Sequence, residues 1–378
     1  MANTAKIWEK LNKDHGGDAF FRGNEKMKFN LDVINFPSVA LGSATGIWGA
    51  PKRKITQFHG QEGSGKSFLA MLQIKEAQKE KGTEQVLIDT ESSFNQGWAE
   101  SLDIDMSRLQ VLVKNNGAEI FTALCGKVNK EGKKTAQGVF DYCTAGELNV
   151  NLIVLDSIAD IQPPAESNRG FEEMEVAALA RFLPRALRIL RPMLERSNTA
   201  LVCINHLRDG MNGGQPSYPG GRAYKHNLDI AIKLHPCGGA EDTLFDDKKE
   251  KIGHKVLATV EKCRFSVNKH KAEFWLDFTR GVVKTGEELA SIAAGYGIVE
   301  RPNNRNWVYN GELTVGAANF GKKLEANPEL MKEILGKIKK RKEEGFKANI
   351  EITAVDTTQD NTFVDDGSEE VANAGESE

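Results

Sequence analysis

Between Ile34 and about residue 280 the chain alternates short apolar runs with longer amphipathic stretches. The runs at 85–89, 109–113, 152–156 and 201–205 are near-continuous in apolar residues. Strands buried on both faces of a parallel sheet have this pattern, whereas half-exposed strands alternate. The stretches between them carry a helical period, so the predicted fold is α/β, a mostly parallel central sheet with flanking helices. From 227 to 278 the spacing tightens to strand–turn–strand (230–234, 256–260, 273–278), which predicts antiparallel strands extending the sheet. The glycine- and charge-rich piece 238–253 reads as an exposed insertion. Upstream, 4–15 is a short amphipathic helix with Ile7, Trp8 and Leu11 on one face. Twelve or so residues cannot bury that stripe alone, so it must pack on its own chain or on a neighbour. Downstream, 284–346 holds helical patterns at 287–296 and 328–341 around an aromatic strand at 307–309. The predicted organisation is an N-terminal arm (1–33), a core (34–283), a small C-terminal lobe (284–346) and a disordered acidic tail (347–378).

Composition narrows the class. With 40% hydrophobic and 27% charged residues the chain is an ordinary soluble globular protein. The net charge of −3 is unevenly placed: 356–378 carries acidic side chains and no Lys or Arg, so the body before it is net positive. The tail reads either as a competitor for nucleic-acid surface or as a solubility segment. The run 337–342, Lys-Ile-Lys-Lys-Arg-Lys, is either a DNA contact or a solvated helix end. Five scattered cysteines without a C-x-x-C pair fit a reducing compartment, and His235-Pro-Cys237 lacks a second ligand pair for zinc. Lys6, Glu9 and Lys10 stand where a signal peptide needs an apolar core, and no run approaches membrane-spanning length. The expected location is cytoplasmic, the host cytoplasm if the chain is viral, with no membrane partner.

Chemistry concentrates at Gly60-Gln61-Glu62-Gly63-Ser64-Gly65-Lys66-Ser67, which fits G-x-x-x-x-G-K-[ST] at every fixed position. A strand at 55–59 precedes it and a helical stretch at 68–81 follows, ending near Gly82. Glycines let the backbone N–H groups cradle phosphate oxygens, and the helix N-terminus adds partial positive charge. Lys66 reaches the β/γ-oxygens, and the Ser67 hydroxyl ligates Mg²⁺. The cofactors implied are ATP and Mg²⁺. The strand 152–155 ends in Asp156, positioned to hold the metal. Strand 85–89 leads to Glu91, a candidate for orienting water or, alternatively, a cap of the next helix. Trp98 could stack on a purine ring or belong to the core.

These segments, with Ile204-Asn-His206-Leu-Arg208, Val260-Glu-Lys262-Cys-Arg264 and Lys271-Ala-Glu-Phe274, occur in the order and approximate spacing of the RecA family of homologous recombinases. The chain resembles that family over about residues 5–346. His206 and the Val-Glu-Lys-x-Arg run resemble its bacteriophage, UvsX-like branch, where cellular members have glutamine at the histidine position. The resemblance implies that Lys66, Ser67 and Asp156 hold MgATP, that Glu91 activates water, and that Asn95 and Trp98 flank the adenine. His206 would sense the γ-phosphate, and Lys262 and Arg264 would reach the ATP of an adjacent subunit. Two loops, 162–170 and 209–221, would bind DNA, with Arg169, Arg181, Arg208, Gly213, Gly214, Gly220, Gly221 and Arg222 as candidate contacts. Residues 209–221 are glycine-rich enough to follow a backbone, with arginines at both ends. Arg181, Arg185 and Arg188 share a helical face, although Pro184 and Pro192 are expected to interrupt that helix. The implied activity is DNA-dependent ATP hydrolysis by a filament on single-stranded DNA that pairs it with homologous duplex. The implied partners are DNA, further copies of the chain, a single-strand-binding protein and a loader. A hexameric helicase of the same fold is the alternative, and the N-terminal arm and C-terminal lobe argue against it.

Overall fold

The computed structural model describes residues 2–14, 31–164, 178–207, 219–266 and 270–356. In chain order the elements are α1 (Ala2–Asp14), β1 (Val33–Asn35), α2 (Val39–Thr45), β2 (Gly49–Pro51), β3 (Ile55–Gly60), α3 (Lys66–Ala77), β4 (Glu84–Asp89) and α4 (Gln96–Ser101). Then follow β5 (Leu109–Val113), α5 (Gly117–Cys125), β6 (Lys127–Val128), β7 (Lys134–Ala136), α6 (Val139–Ala145) and β8 (Val150–Asp156). Next come α7 (Ala178–Ser197), β9 (Ala200–His206), α8 (Gly221–Asn227), β10 (Ile230–Pro236), β11 (Thr243–Phe245) and β12 (Lys251–Cys263). The last are β13 (Lys271–Asp277), β14 (Gly281–Val283), α9 (Thr285–Gly295), β15 (Asn306–Tyr309), β16 (Glu312–Val315), α10 (Ala317–Glu325) and α11 (Pro328–Asp356).

Two compact units divide the chain. The first comprises Met1–Phe36, Thr45–Leu234 and Val260–Lys269. Its sheet has the order β10-β3-β9-β8-β4-β5, and every neighbouring pair in that series is parallel. Three of the near-continuous runs are buried strands, β4, β8 and β9, whereas the fourth, β5, is the edge strand of the sheet and exposes Gln110 and Val113. Helix α3 covers one face with Phe68, Leu69, Leu72 and Ile74, all buried. On the other face α5, α6 and α7 bring Ile120, Leu124, Phe140, Leu183, Leu187 and Leu190 against Ile88, Ile153 and Leu201.

Two elements differ from the sequence expectation. Helix α7 runs unbroken through Pro184 and Pro192. Each internal proline costs about 3 kcal/mol. The fully buried Leu183, Leu187, Leu190 and Leu194 each contribute roughly 2 kcal/mol, enough to offset it. Arg181, Arg185 and Arg188 stay exposed on the opposite face. Helix α3 ends at Ala77, four residues early, because Lys79 and Glu80 turn their N–H groups to the carbonyls three residues back. Gly82, at φ 71°, serves the turn into β4 instead of capping the helix.

The second unit comprises Pro37–Ala44, His235–Thr259 and His270–Glu378. Strands β11, β12, β13 and β14 form successive antiparallel pairs. The segment read as an exposed insertion thus contains β11 and the first residues of β12. Trp307 stacks on Phe320 under the β15–β16 hairpin, with 5.8 Å between ring centroids. Helix α11 continues to Asp356, beyond the stop expected at Arg341, with no proline to break it. Residues 357–378, most of the acidic tail, lie outside the described residues. No described helix is long and apolar enough to cross a membrane.

Within this unit Glu288 accepts the Ser38 hydroxyl at 2.8 Å and the Ala40 N–H at 3.0 Å. Burial pushes its carboxyl up to about 7. Because that lies above its unfolded value, its contribution to stability is complete below about 4.5 and is lost as pH rises through about 7. Glu288→Gln, a neutral isostere, is expected to melt with the unmodified protein near pH 5 and above it near about pH 8.5. The gap is at most about 3 kcal/mol. Thermal melts with the order reversed at high pH would rule out a buried carboxylate there.

Candidate nucleotide-binding site

The parallel registers bring the chemistry to one edge of the first unit's sheet. Gly60 pairs with His206 and Asp89 pairs with Asp156, all at the C-terminal ends of their strands. Ligands of open α/β sheets bind outside that edge.

The loop leaving β3 is shaped by its glycines. A Cβ on Gly60 would stand 2.3 Å from the Leu234 carbonyl oxygen and 2.8 Å from Ser64 Oγ, so no other residue fits. Gly63 and Gly65 adopt left-handed backbone angles, φ 69° and 83°. Gln61, Glu62 and Gly63 are exposed on the loop's outer rim, and Ser64 is buried beneath it. Lys66, only 4% exposed, folds back so that Nζ donates to the Gln61 carbonyl at 2.7 Å. Burial lowers its pKa, and Asp156, Glu91 and Glu62 pull it back up. A buried ammonium in a glycine-bent loop at the N-terminal end of α3 is a ready anion site.

Ser67 opens α3 and hydrogen-bonds Asp156. Burial, helped by Glu91 and Asp89, pushes the Asp156 carboxyl up to about 7, against the opposing pull of Ser67 and Lys66. Its Oδ1 is buried with no hydrogen-bond partner among the described residues. An orphaned carboxylate oxygen beside a hydroxyl is a donor set that fits Mg²⁺.

Asp89 and Glu91 divide their work. Asp89 is buried and accepts the N–H groups of Glu91, Ser93 and Phe94 at 3.2, 3.2 and 2.9 Å. It is spent on fixing the turn, which leaves the exposed Glu91 carboxylate aimed outward. Glu91 Oε1 lies 3.1 Å from His206 Nε2. Glu91, Asp156 and His206 each offer a ligand atom, all within 4.8 Å of one another.

Asn95 and Trp98 line a cleft beside Ser67, Met71, Phe94 and Val154. Asn95 caps α4 through its Oδ1, which accepts the Trp98 N–H at 3.0 Å. Trp98 stacks on Phe68 with ring centroids 5.5 Å apart, so one of its faces is already used.

Lys262 and Arg264 close on helix α8 of their own chain. Lys262 Nζ donates to the Lys225 and His226 carbonyls at 2.8 and 3.3 Å. Arg264 donates to the same His226 carbonyl and to Asp229 Oδ1, at 2.5 and 3.2 Å. Burial, with Arg264 next to it, lowers the Lys262 pKa. Among the DNA-loop candidates, Arg181 and Arg222 are exposed, and Gly220 and Gly221 form the left-handed entry to α8 at φ 106° and 71°. Arg169, Arg208, Gly213 and Gly214 lie outside the described residues. Sequence reasoning passed over Gln57, His59, Asn205 and Glu261, a hydrogen-bonded series beside the site that is buried from Asn205 to His59 and reaches the surface at Glu261. Gln57 and His59, two large polar residues spaced two apart in the strand that enters the loop, were the available signal.

The RecA N-terminal domain family model matches residues 3–283. Protein RecA of Aquifex aeolicus (strain VF5) is 31% identical over 317 residues, 82% of this chain and 84% of the relative. Protein RecA of Thermus aquaticus is 29% identical over 336 residues, 88% of this chain and 92% of the relative. With a phosphate-type loop, an aspartate whose Oδ1 is unpartnered among the described residues and a Glu–His pair on the edge of the sheet, and with matches of this extent, the chain belongs to the RecA family.

Proposed function

We propose that the chain is an ATP-dependent DNA recombinase, a DNA-stimulated ATPase that assembles on single-stranded DNA and exchanges it with a homologous duplex. The observation that carries this reading is the convergence of Lys66, Ser67, Asp156, Glu91 and His206 on one sheet edge in a member of the RecA family. In this reading the loop 60–67 binds the phosphates through backbone N–H groups and Lys66. Asp156 and Ser67 hold Mg²⁺, which when bound neutralises charge on the phosphates. Asn95 and Trp98 bound the adenine cleft. Glu91 takes a proton from the attacking water, and His206 holds that carboxylate oriented until it engages the γ-phosphate.

Lys262 and Arg264 complete the site of an adjacent subunit. An interface that joins one copy's phosphate loop to another's β12 is head-to-tail, and head-to-tail contacts that do not close generate helical filaments. Arg169, Arg181, Arg208 and Arg222, with the glycines at 213–214 and 220–221, serve DNA. His206 and the 260–264 run favour a bacteriophage-type member working in a host cytoplasm, with a single-strand-binding protein and a loader as further partners. The test is a strand-exchange assay with circular single-stranded DNA and linear duplex. Joint molecules are expected only with ATP and only when the two DNAs share sequence; pairing that ignores homology, or unwinding of a fork without pairing, overturns the reading.

A further inference from the structure

A series of hydrogen bonds, buried except at its Glu261 end, crosses the first unit from β9 through β3 to the last residues of β12. Gln57 and His59 lie two apart on β3, both fully buried, so their polar groups must be satisfied within the fold. Gln57 Oε1 accepts the Tyr224 hydroxyl at 2.6 Å and Asn205 Nδ2 at 3.2 Å. With two donors on that oxygen, Nε2 faces His59 Nδ1 at 3.3 Å. Nδ1 is therefore the acceptor and the imidazole proton sits on Nε2. That proton is donated to Glu261 Oε2 at 3.0 Å. The series donates one way, from Asn205 and Tyr224 through Gln57 and His59 to Glu261.

Its ends touch the parts that must act together. Asn205 directly precedes His206, and its Nδ2 also donates to the Pro219 carbonyl at 3.1 Å, where the chain re-enters from 208–218. Tyr224 belongs to α8, whose C-terminal carbonyls are gripped by Lys262 and Arg264. Glu261 directly precedes Lys262. With a neutral imidazole the arrangement has two settings. Turning the Gln57 amide over would set Nε2 against Asn205 Nδ2 and oxygen against His59 Nδ1. The imidazole proton would then move to Nδ1 and Nε2 would lose its bond to Glu261.

We propose that Gln57, His59 and Glu261 are positioning residues that couple the His206 and DNA-loop side of the site to the orientation of Lys262 and Arg264. None of the three contacts nucleotide; they act by setting where the β12 cations point. The inference rests on the proposed function, and its test separates the two. Glu261 is the variant of choice, because its side chain is 42% exposed and truncation leaves the core intact. ATP hydrolysis by the full chain is measured with and without poly(dT). Glu261→Ala should lose about tenfold or more of the DNA-stimulated kcat. Its KM for ATP and its DNA-free rate should stay within about twofold. Glu261→Gln, which still accepts the His59 proton, should retain more than about half the stimulated rate. In a Lys262→Ala/Arg264→Ala background, Glu261→Ala should change nothing further, since the residues it positions are gone. Unchanged stimulation in Glu261→Ala, equal losses in the Ala and Gln variants, or multiplying losses in the combined background would each overturn the coupling. Absence of DNA stimulation in the unmodified chain would overturn the functional reading on which it rests.

Discussion

Lys66→Ala is expected to weaken ATP binding by about 100-fold or more and to leave no measurable DNA-stimulated hydrolysis. Lys66 is buried in the loop and surrounded by Asp156, Glu91 and Glu62, whose fields favour its charged form. Removing the ammonium takes away a charge-assisted contact to phosphate and leaves three carboxylates facing an incoming polyanion. Charge-assisted hydrogen bonds contribute roughly 1.5–3 kcal/mol each, so most of the binding free energy at this end of the nucleotide is at stake. The fold should survive, because among the described residues Nζ hydrogen-bonds only within its own loop, to the Gln61 carbonyl and to Ser64 Oγ. Nucleotide titration alongside thermal melts reads both. The unmodified protein should gain melting temperature with ATP, and the variant should match its ligand-free melt and gain nothing. An ATP-induced shift of normal size in the variant would show that the loop does not hold the phosphates.

Glu91→Gln should separate binding from chemistry. The amide keeps the length of the side chain and can still accept from His206 Nε2, the contact that orients Glu91 at 3.1 Å. It cannot take a proton from water, and a positioned general base contributes roughly 10²–10⁴-fold. Hydrolysis should fall by that factor while ATP affinity stays within about threefold and assembly on DNA persists or lengthens. Asp89 cannot substitute, because its two oxygens are committed to the N–H groups of residues 91, 93 and 94. Rapid-quench hydrolysis and equilibrium nucleotide binding on one preparation decide it. Parallel loss of rate and affinity would remove Glu91 from the role of base.

The legible parts of the sequence were those governed by local rules. Parallel strands inside a sheet are rich in apolar residues, so β4, β8 and β9 announced themselves, and a tight phosphate loop needs glycine where φ is positive. Asp156 was visible for the same reason, as the first polar residue after a buried strand. What sequence did not disclose depended on distant partners. Helix α7 survives two prolines because leucines from one face reach the sheet core, a long-range compensation. Trp98 was open between base and core until Phe68, thirty positions away in the chain, took one of its faces. Gln57 and His59 carried no readable role in their strand, since their partners Tyr224, Asn205 and Glu261 come from three other elements.

The central claim, that ATP joins copies of this chain head-to-tail on single-stranded DNA, is tested most directly by electron microscopy of the full chain with single-stranded DNA and a non-hydrolysable ATP analogue. Continuous helical filaments that require both DNA and nucleotide, and that Lys66→Ala fails to form, are the predicted result; closed six-membered rings, or particles that stay single under those conditions, would contradict it.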